Sequence, residues 1–361
     1  MRYAICADTP YQMLNAVNLA CNTIGASDSK DLFFGNVSEE MSRIFLKIKK
    51  YHIFDNVYEF NRISKNDTIN YYLGCLTQGL KPEKFIRDSL KSKNLLPENG
   101  YDFITVTSAT PMEIALTRLF PSARVVALDD GLGSYTGNII QDNNRHKMLW
   151  RIFGRCKDKI VPECLYVNNM SFCESTLAPC LKELRPLSSC EKIYKDMIFD
   201  IFDFRYNKMY QERPLIYLSQ PMDELGKGLL SKNREVESVL AKYEKRGIYR
   251  RHPRDLNETE LHYWVDETPC VWELLCNSEI NNDNILVSFC STAQITPKIL
   301  YGKEPWIIFT YRLFDFENTK IGKNRFKPII NQIKKSYERK EKILEPATLE
   351  ELQDILDCLL C

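Results

Sequence analysis

The sequence predicts an α/β protein made of two doubly wound halves in tandem. Three observations carry that expectation. Short apolar runs alternate with amphipathic segments over the first 140 residues, and the alternation restarts near residue 214. At 361 residues the chain also exceeds what one hydrophobic core ordinarily holds. The expected division is a first domain over 1–150, a connecting segment over 151–210 and a second domain over 211–361.

In order along the chain, Tyr3 to Ala7 reads as a short buried strand. Thr9 then caps a helix that Pro10 opens, with Leu14, Val17, Asn18 and Cys21 on one face. Asp31 to Gly35 is a second strand. A helix over Glu39 to Lys49 turns Met41, Ile44, Phe45 and Ile48 inward. Asn56 to Phe60 is a third strand, followed by a helix-prone stretch to about Ser92. Asp102 to Ser108 is a fourth, Pro111 opens another helix, and Arg124 to Leu128 is a fifth strand. Residues 140–210 lack regular periodicity and read as the connection, with room for a helix or hairpin. In the second half, strands are expected at Pro214–Ser219, Gly247–Arg251, Asn284–Phe289 and Pro305–Thr310. Helices are expected at Asn233–Lys245, from Trp272, at Ala293–Tyr301 and twice at the carboxyl terminus. Strands alternating with helices imply parallel sheets covered on both faces, with ligands at the carboxyl ends of the strands.

Composition narrows the function classes. Lys and Arg total 49 against 48 Asp and Glu, so no global field argues for nucleic acid. The apolar start of the chain is too short for a signal peptide and Asp8 interrupts it, which makes a cytoplasmic protein the expectation. Thirteen cysteines then read as reduced thiols, most of them small hydrophobes. Cys358 and Cys361 form the one Cys-x-x-Cys, which suits the apolar face of a last helix better than a metal or redox site. Lys320 to Lys342 carries nine Lys or Arg against two Glu, either a solvated helix face or a peripheral contact with anionic lipid or glycan.

Four places carry chemistry. Asp129-Asp130-Gly131 closes the fifth strand: adjacent carboxylates point in different directions, and the glycine lets the chain turn. His252-Pro253 ends a strand among Arg250, Arg251 and Arg254, where an imidazole could meet a phosphate. Ser291 and Thr292 open a helix, whose hydroxyls and free N–H groups suit an anion. Glu273 could accept hydrogen bonds from a ribose diol or be an ordinary first-turn carboxylate. With no Gly-x-Gly-x-x-Gly, Walker loop or Asp-x-Asp, neither a cofactor nor a metal is expected.

These motifs, with Ile5-Cys-Ala-Asp-Thr-Pro-Tyr-Gln-Met-Leu-Asn, Leu128-Asp-Asp-Gly-Leu-Gly-Ser-Tyr, Trp272-Glu-Leu-Leu and Ser288-Phe-Cys-Ser-Thr-Ala, make the chain resemble bacterial sialyltransferases of glycosyltransferase family 52. The resemblance implies a GT-B-type fold, two Rossmann-like domains facing a central cleft, and inverting, metal-independent transfer from CMP-sialic acid. The acceptor would be a galactose-containing or sialylated surface glycan, and the protein a homodimer. Asp130 would be the general base, and His252 would assist departure of CMP. Ser291 and Thr292 would bind phosphate and Glu273 the ribose. Thr9, Gln12, Ser108, Asp129, Gly131, Tyr135 and Arg254 would also line the substrates. Other readings are a transferase with a different nucleotide-sugar donor, a sugar-nucleotide hydrolase, and a non-catalytic glycan-binding protein on the same scaffold.

Overall fold

The computed structural model describes residues 1–360 except 37, 61–80, 92–95, 108–109, 136–161, 174–178, 207, 227, 260 and 315–322. The chain divides into two compact units, Met1–Phe202 and Asp203–Cys361, each built on one parallel sheet.

In the first unit the strands are β1 (Arg2–Ala7), β2 (Ser29–Gly35), β3 (Asn56–Phe60), β4 (Phe103–Val106), β5 (Arg124–Leu128), β6 (Cys164–Val167) and β7 (Leu181–Glu183). They lie in the order β3-β2-β1-β4-β5-β6-β7, every pair parallel. The order reverses between β1 and β4, which sets a crevice at their carboxyl ends. Ala4, Ile5, Leu32, Phe33, Ile104 and Leu128 are fully buried, as the unbroken apolar runs of a sheet covered on both faces demand. Burying each large side chain is worth roughly 1.5–3 kcal/mol.

Helix α1 (Pro10–Asn22) starts where expected, with the Thr9 hydroxyl accepting the Gln12 N–H at 3.3 Å. Its buried stripe differs from the expected one. Met13, Ala16, Val17 and Ala20 are inside, whereas Cys21 is exposed. Gln12, Asn15 and Asn18 are also buried, because their amides serve neighbouring loops and so rotate the helix off its apolar periodicity. Helix α2 (Glu39–Tyr51) buries Met41, Ile44 and Ile48 as read, and Phe45 stacks on Phe34 with ring centroids 4.8 Å apart. Helix α3 (Pro111–Leu119) opens on a capping box in which Thr110 and Glu113 bond each other's backbone N–H.

Strands β6 and β7 fall inside 151–210, the segment read as a connection with room for a helix or hairpin, and extend the first sheet. Three or four residues are too few to show a period, so these edge strands left no pattern.

The second unit repeats the design. Strands β8 (Leu215–Leu218), β9 (Gly247–Arg250), β10 (Trp264–Val265), β11 (Ile285–Ser288), β12 (Trp306–Phe309) and β13 (Ile343–Leu344) lie in the order β10-β9-β8-β11-β12-β13, all parallel. The reversal falls between β8 and β11. Helix α4 (Leu229–Leu240) begins and ends a few residues ahead of its expected position, and a 3₁₀ turn over Ala241–Arg246 completes the predicted stretch. Helices α5 (Trp272–Ser278), α6 (Thr292–Tyr301), α7 (Lys323–Ser336) and α8 (Leu349–Leu360) follow. Gln294, fully buried in α6, donates to the carbonyls of Leu286 on β11 at 3.0 Å and Ile308 on β12 at 2.9 Å.

Three cations of the basic stretch, Lys334, Arg339 and Lys342, are engaged within the protein. Lys342 is 4% exposed and donates to the carbonyls of Asn282 and Glu304 at 2.7 and 2.8 Å. Lys334 pairs with Glu345 and Arg339 with Glu341. Lys320 itself lies outside the described residues. Lys335 and Lys340 are exposed. Among the described residues no helix is long and apolar enough to cross a membrane.

Candidate functional site

In the first unit the strand ends converge on two aspartates with different fates. Asp129 follows β5 and is fully buried. Its Oδ1 accepts the Gly131 N–H at 2.8 Å. Its Oδ2 accepts the hydroxyls of Tyr11 (3.0 Å) and Tyr135 (2.5 Å), and the Asn168 side-chain amide at 3.1 Å. Burial pushes this carboxyl above the ordinary range, against the donated hydrogen bonds, which favour the ionised form. Asn15 completes the cage by donating to the Asp129 carbonyl at 3.0 Å. Gly131 turns the chain at φ 95°, where a side chain would be strained.

Asp130 is half-buried instead. Its Oδ1 accepts the Gln12 amide at 2.6 Å, and its N–H donates to the Ser134 hydroxyl at 2.8 Å. Gln12 also accepts the Asp8 N–H at 2.7 Å, so both ends of its carboxamide are engaged. Asp8 in turn packs on Gly35, where any Cβ would lie 2.5 Å from Asp8 Oδ1. In the first turn of α3, buried Glu113 accepts from the Thr107 N–H (2.6 Å), the Thr107 hydroxyl (2.8 Å) and the Thr110 N–H (2.6 Å). Desolvation and nearby Asp8 raise its carboxyl to about 7.

The structure thus brings Asp130 and Gln12 together. Asp129 and Tyr135, expected against substrate, are interior groups that fix the turn. Ser108 lies outside the described residues. Tyr11 and Asn15 stand in the opening motif over 5–15, but their bonds to Asp129 were not read from it, and Asn168 follows a strand that left no pattern. Replacing Asp129 with Ala would strand two hydroxyls, an amide and a turn N–H. The expected loss is about 3–5 kcal/mol in urea denaturation, far beyond an ordinary surface change.

In the second unit His252 follows β9. Its N–H donates to the hydroxyl of Ser219, the residue after β8, at 2.9 Å. Its Nδ1 accepts the Arg254 N–H at 3.1 Å, which leaves the proton of a neutral ring on Nε2. Burial, reinforced by the Arg254 charge, lowers this imidazole to about 4. The ring is therefore a neutral donor through its Nε2. Arg250 serves the interior, bonding Asp266 and the Cys270 carbonyl.

Ser291 caps α6, its hydroxyl accepting the Ala293 N–H at 3.2 Å, and Thr292 beside it is exposed. Pro297 inside α6 has no N–H for the Ala293 carbonyl; the Trp272 indole N–H takes that acceptor at 2.8 Å. This lock ties α5, and half-buried Glu273 in its first turn, to the start of α6. At the other end of α5, Lys303 donates to the carbonyls of Cys276, Asn277 and Ile280. Trp272 and Ser219 therefore hold candidate groups in place without being candidates themselves. Among the described residues no cluster of three or more His, Cys, Asp or Glu could hold a metal ion.

No family model matches the chain, and no curated protein matches its sequence. Solved structures do. The glycosyltransferase of kitacinnamycin aligns with a TM-score of 0.53 at 8% identity, over 99% of this chain and 90% of its own. The spinosyn forosaminyltransferase SpnP aligns at 0.52 and 12% identity, over 100% and 90%. A Listeria monocytogenes protein assigned as a UDP-N-acetylglucosamine 2-epimerase aligns at 0.51 and 10% identity, over 99% and 87%. At such identities the similarity establishes the fold: two parallel-sheet, Rossmann-like α/β units of GT-B type.

It also corrects the resemblance drawn from the sequence. The neighbours are named for glycosyl transfer and for a UDP-sugar, not for CMP-sialic acid, and no family model supports family 52. The motifs behind that resemblance are carboxylate turns, a His-Pro strand exit and a Ser-Thr helix cap. A doubly wound unit places such groups at its strand ends whatever the donor.

Proposed function

We propose that the protein is a glycosyltransferase that uses a nucleoside-diphosphate sugar. The observation that carries this reading is the division of labour at Asp129-Asp130, on a fold shared with glycosyltransferases. One carboxylate is buried to hold the turn; the other is half-buried, aimed by Gln12 and reachable by a hydroxyl substrate. As an acceptor hydroxyl attacks the anomeric carbon, Asp130 takes its proton. In the second unit, the Ser291 and Thr292 end of α6 supplies N–H and hydroxyl donors to the diphosphate. His252 adds its Nε2–H, and Glu273 suits a ribose diol.

The leaving diphosphate gains charge as the sugar departs, and preorganised neutral donors stabilise it without first losing a proton. A 2-epimerase is the second reading, favoured by the Listeria structure's similarity, which equals that of the transferases within 0.02 in TM-score.

Thermal shift with a nucleotide panel tests the donor class. UDP or dTDP near 100 Kd is expected to add about 2.7 kcal/mol of stability, whereas CMP adds none. A panel in which no nucleoside diphosphate moves the melting temperature counts against the proposal. Product analysis with UDP-sugars then separates the readings: transfer needs an acceptor, whereas epimerisation proceeds without one.

A further inference from the structure

Away from the strand-end crevice, the first sheet carries a cavity of about 220 Å³ at the amino-terminal part of its strands. Two cysteines line it. Cys164 begins β6 and Cys180 immediately precedes β7. Leu165 is registered against Leu181, so the two cysteines form the next rung of the same parallel ladder, and the Leu165 N–H donates to the Cys180 carbonyl at 2.8 Å. Neighbouring strands lie about 4.8 Å apart, within the Cα separation that a disulfide spans. Side chains alternate along a strand, and Cys164, Tyr166, Cys180 and Lys182 all open onto this one cavity. Cys180 lies near enough to act on the Cys164 thiol.

Their surroundings divide the labour. Cys180 is exposed, whereas Cys164 is 6% exposed. Burial holds the Cys164 thiol up at about 12. Lys182 interacts electrostatically with both sulfurs. By contrast Cys6, Cys276 and Cys290 are buried and behave as small hydrophobes.

We propose that Cys164 and Cys180 form a reversible dithiol–disulfide pair, a modification site for a hydroperoxide. The Cys180 sulfur attacks the terminal peroxide oxygen; the O–O bond breaks, releasing alcohol (water from hydrogen peroxide) and leaving a sulfenic acid. The Cys164 sulfur then attacks the Cys180 sulfur, the S–S bond forms, and hydroxide leaves as water with the Cys164 proton. Two thiols and one hydroperoxide thus give one disulfide, one alcohol and one water, and an external dithiol reverses the step. The link staples the short edge strand β7 to β6, the strand that runs into Asn168 and its bonds to Asp129. The inference is independent of the reaction proposed above.

The test is peptide mapping by mass spectrometry of the full chain, fully reduced and then treated with limiting hydrogen peroxide. The expected product has lost two hydrogens, yields a linked peptide pair containing Cys164 and Cys180, and reverts with dithiothreitol. In Cys164→Ser the Cys180 sulfenic acid should persist and be trapped by dimedone, and in Cys180→Ser Cys164 should form no crosslink. The proposal is overturned if wild-type Cys180 oxidises without joining Cys164, joins another cysteine instead, or does not react.

Discussion

Asp130→Ala is expected to lower turnover by on the order of 10²–10⁴-fold while the fold survives. The two halves of that expectation come from the same geometry. Asp130 is half-buried and its carboxylate accepts from Gln12, so removing it leaves one buried amide hydrogen without that partner, a modest structural cost. Its neighbour Asp129 carries the donors that hold the turn. Asp130→Asn sharpens the test, because it preserves shape and an acceptor oxygen for Gln12 but cannot take a proton. Both variants should lose turnover alike, with melting temperatures near wild type. Gln12→Ala should cost less, since the base remains and only its aim is relaxed. Steady-state rates with saturating donor and acceptor, read beside circular dichroism, decide the matter. Wild-type-like turnover in folded Asp130→Asn would remove the base from the mechanism.

The parts of this protein that could be read from residues are those where one local rule acts. Thr9-Pro10 marks a helix start by capping chemistry alone, and Arg124 to Leu128 marks a buried strand by its unbroken apolar run. The places of Asp130, Gln12, His252 and Ser291 near strand ends or helix starts, where doubly wound sheets expose chemistry, could be read the same way. What stayed hidden depends on distant partners. The burial of Gln12, Asn15 and Asn18 follows from acceptors 114 to 167 residues away along the chain for the latter two and 118 for the first. Asp129 and Asp130 look equivalent as letters; only the Tyr11, Tyr135 and Asn168 donors separate them. The resemblance to family 52 arose for a related reason, since phosphate-binding edges share their chemistry across nucleotides.

His252→Ala is expected to lower turnover by on the order of 10²–10³-fold, the scale of losing one preorganised donor to a developing negative charge. The neutral form of the ring is central to this expectation. Nδ1 accepts from the Arg254 N–H, and burial and the Arg254 charge lower the imidazole from 6.5 to about 4. His252 then contributes no loss of activity as pH rises through 6.5, because its Nε2 proton remains available on both sides of that value. A cationic ring would instead give a basic limb there. Stability has its own signature. The folded state binds the proton less readily than the unfolded chain does, so stability is fully present above about 6.5 and drains away as pH falls toward 4. His252→Gln should lack that part of the acid dependence, which urea midpoints measured at neutral and acid pH will show as curves converging toward low pH. An imidazole that titrates near 6.5 by NMR, together with turnover that falls across the same interval, would restore the charged form and retire the neutral donor.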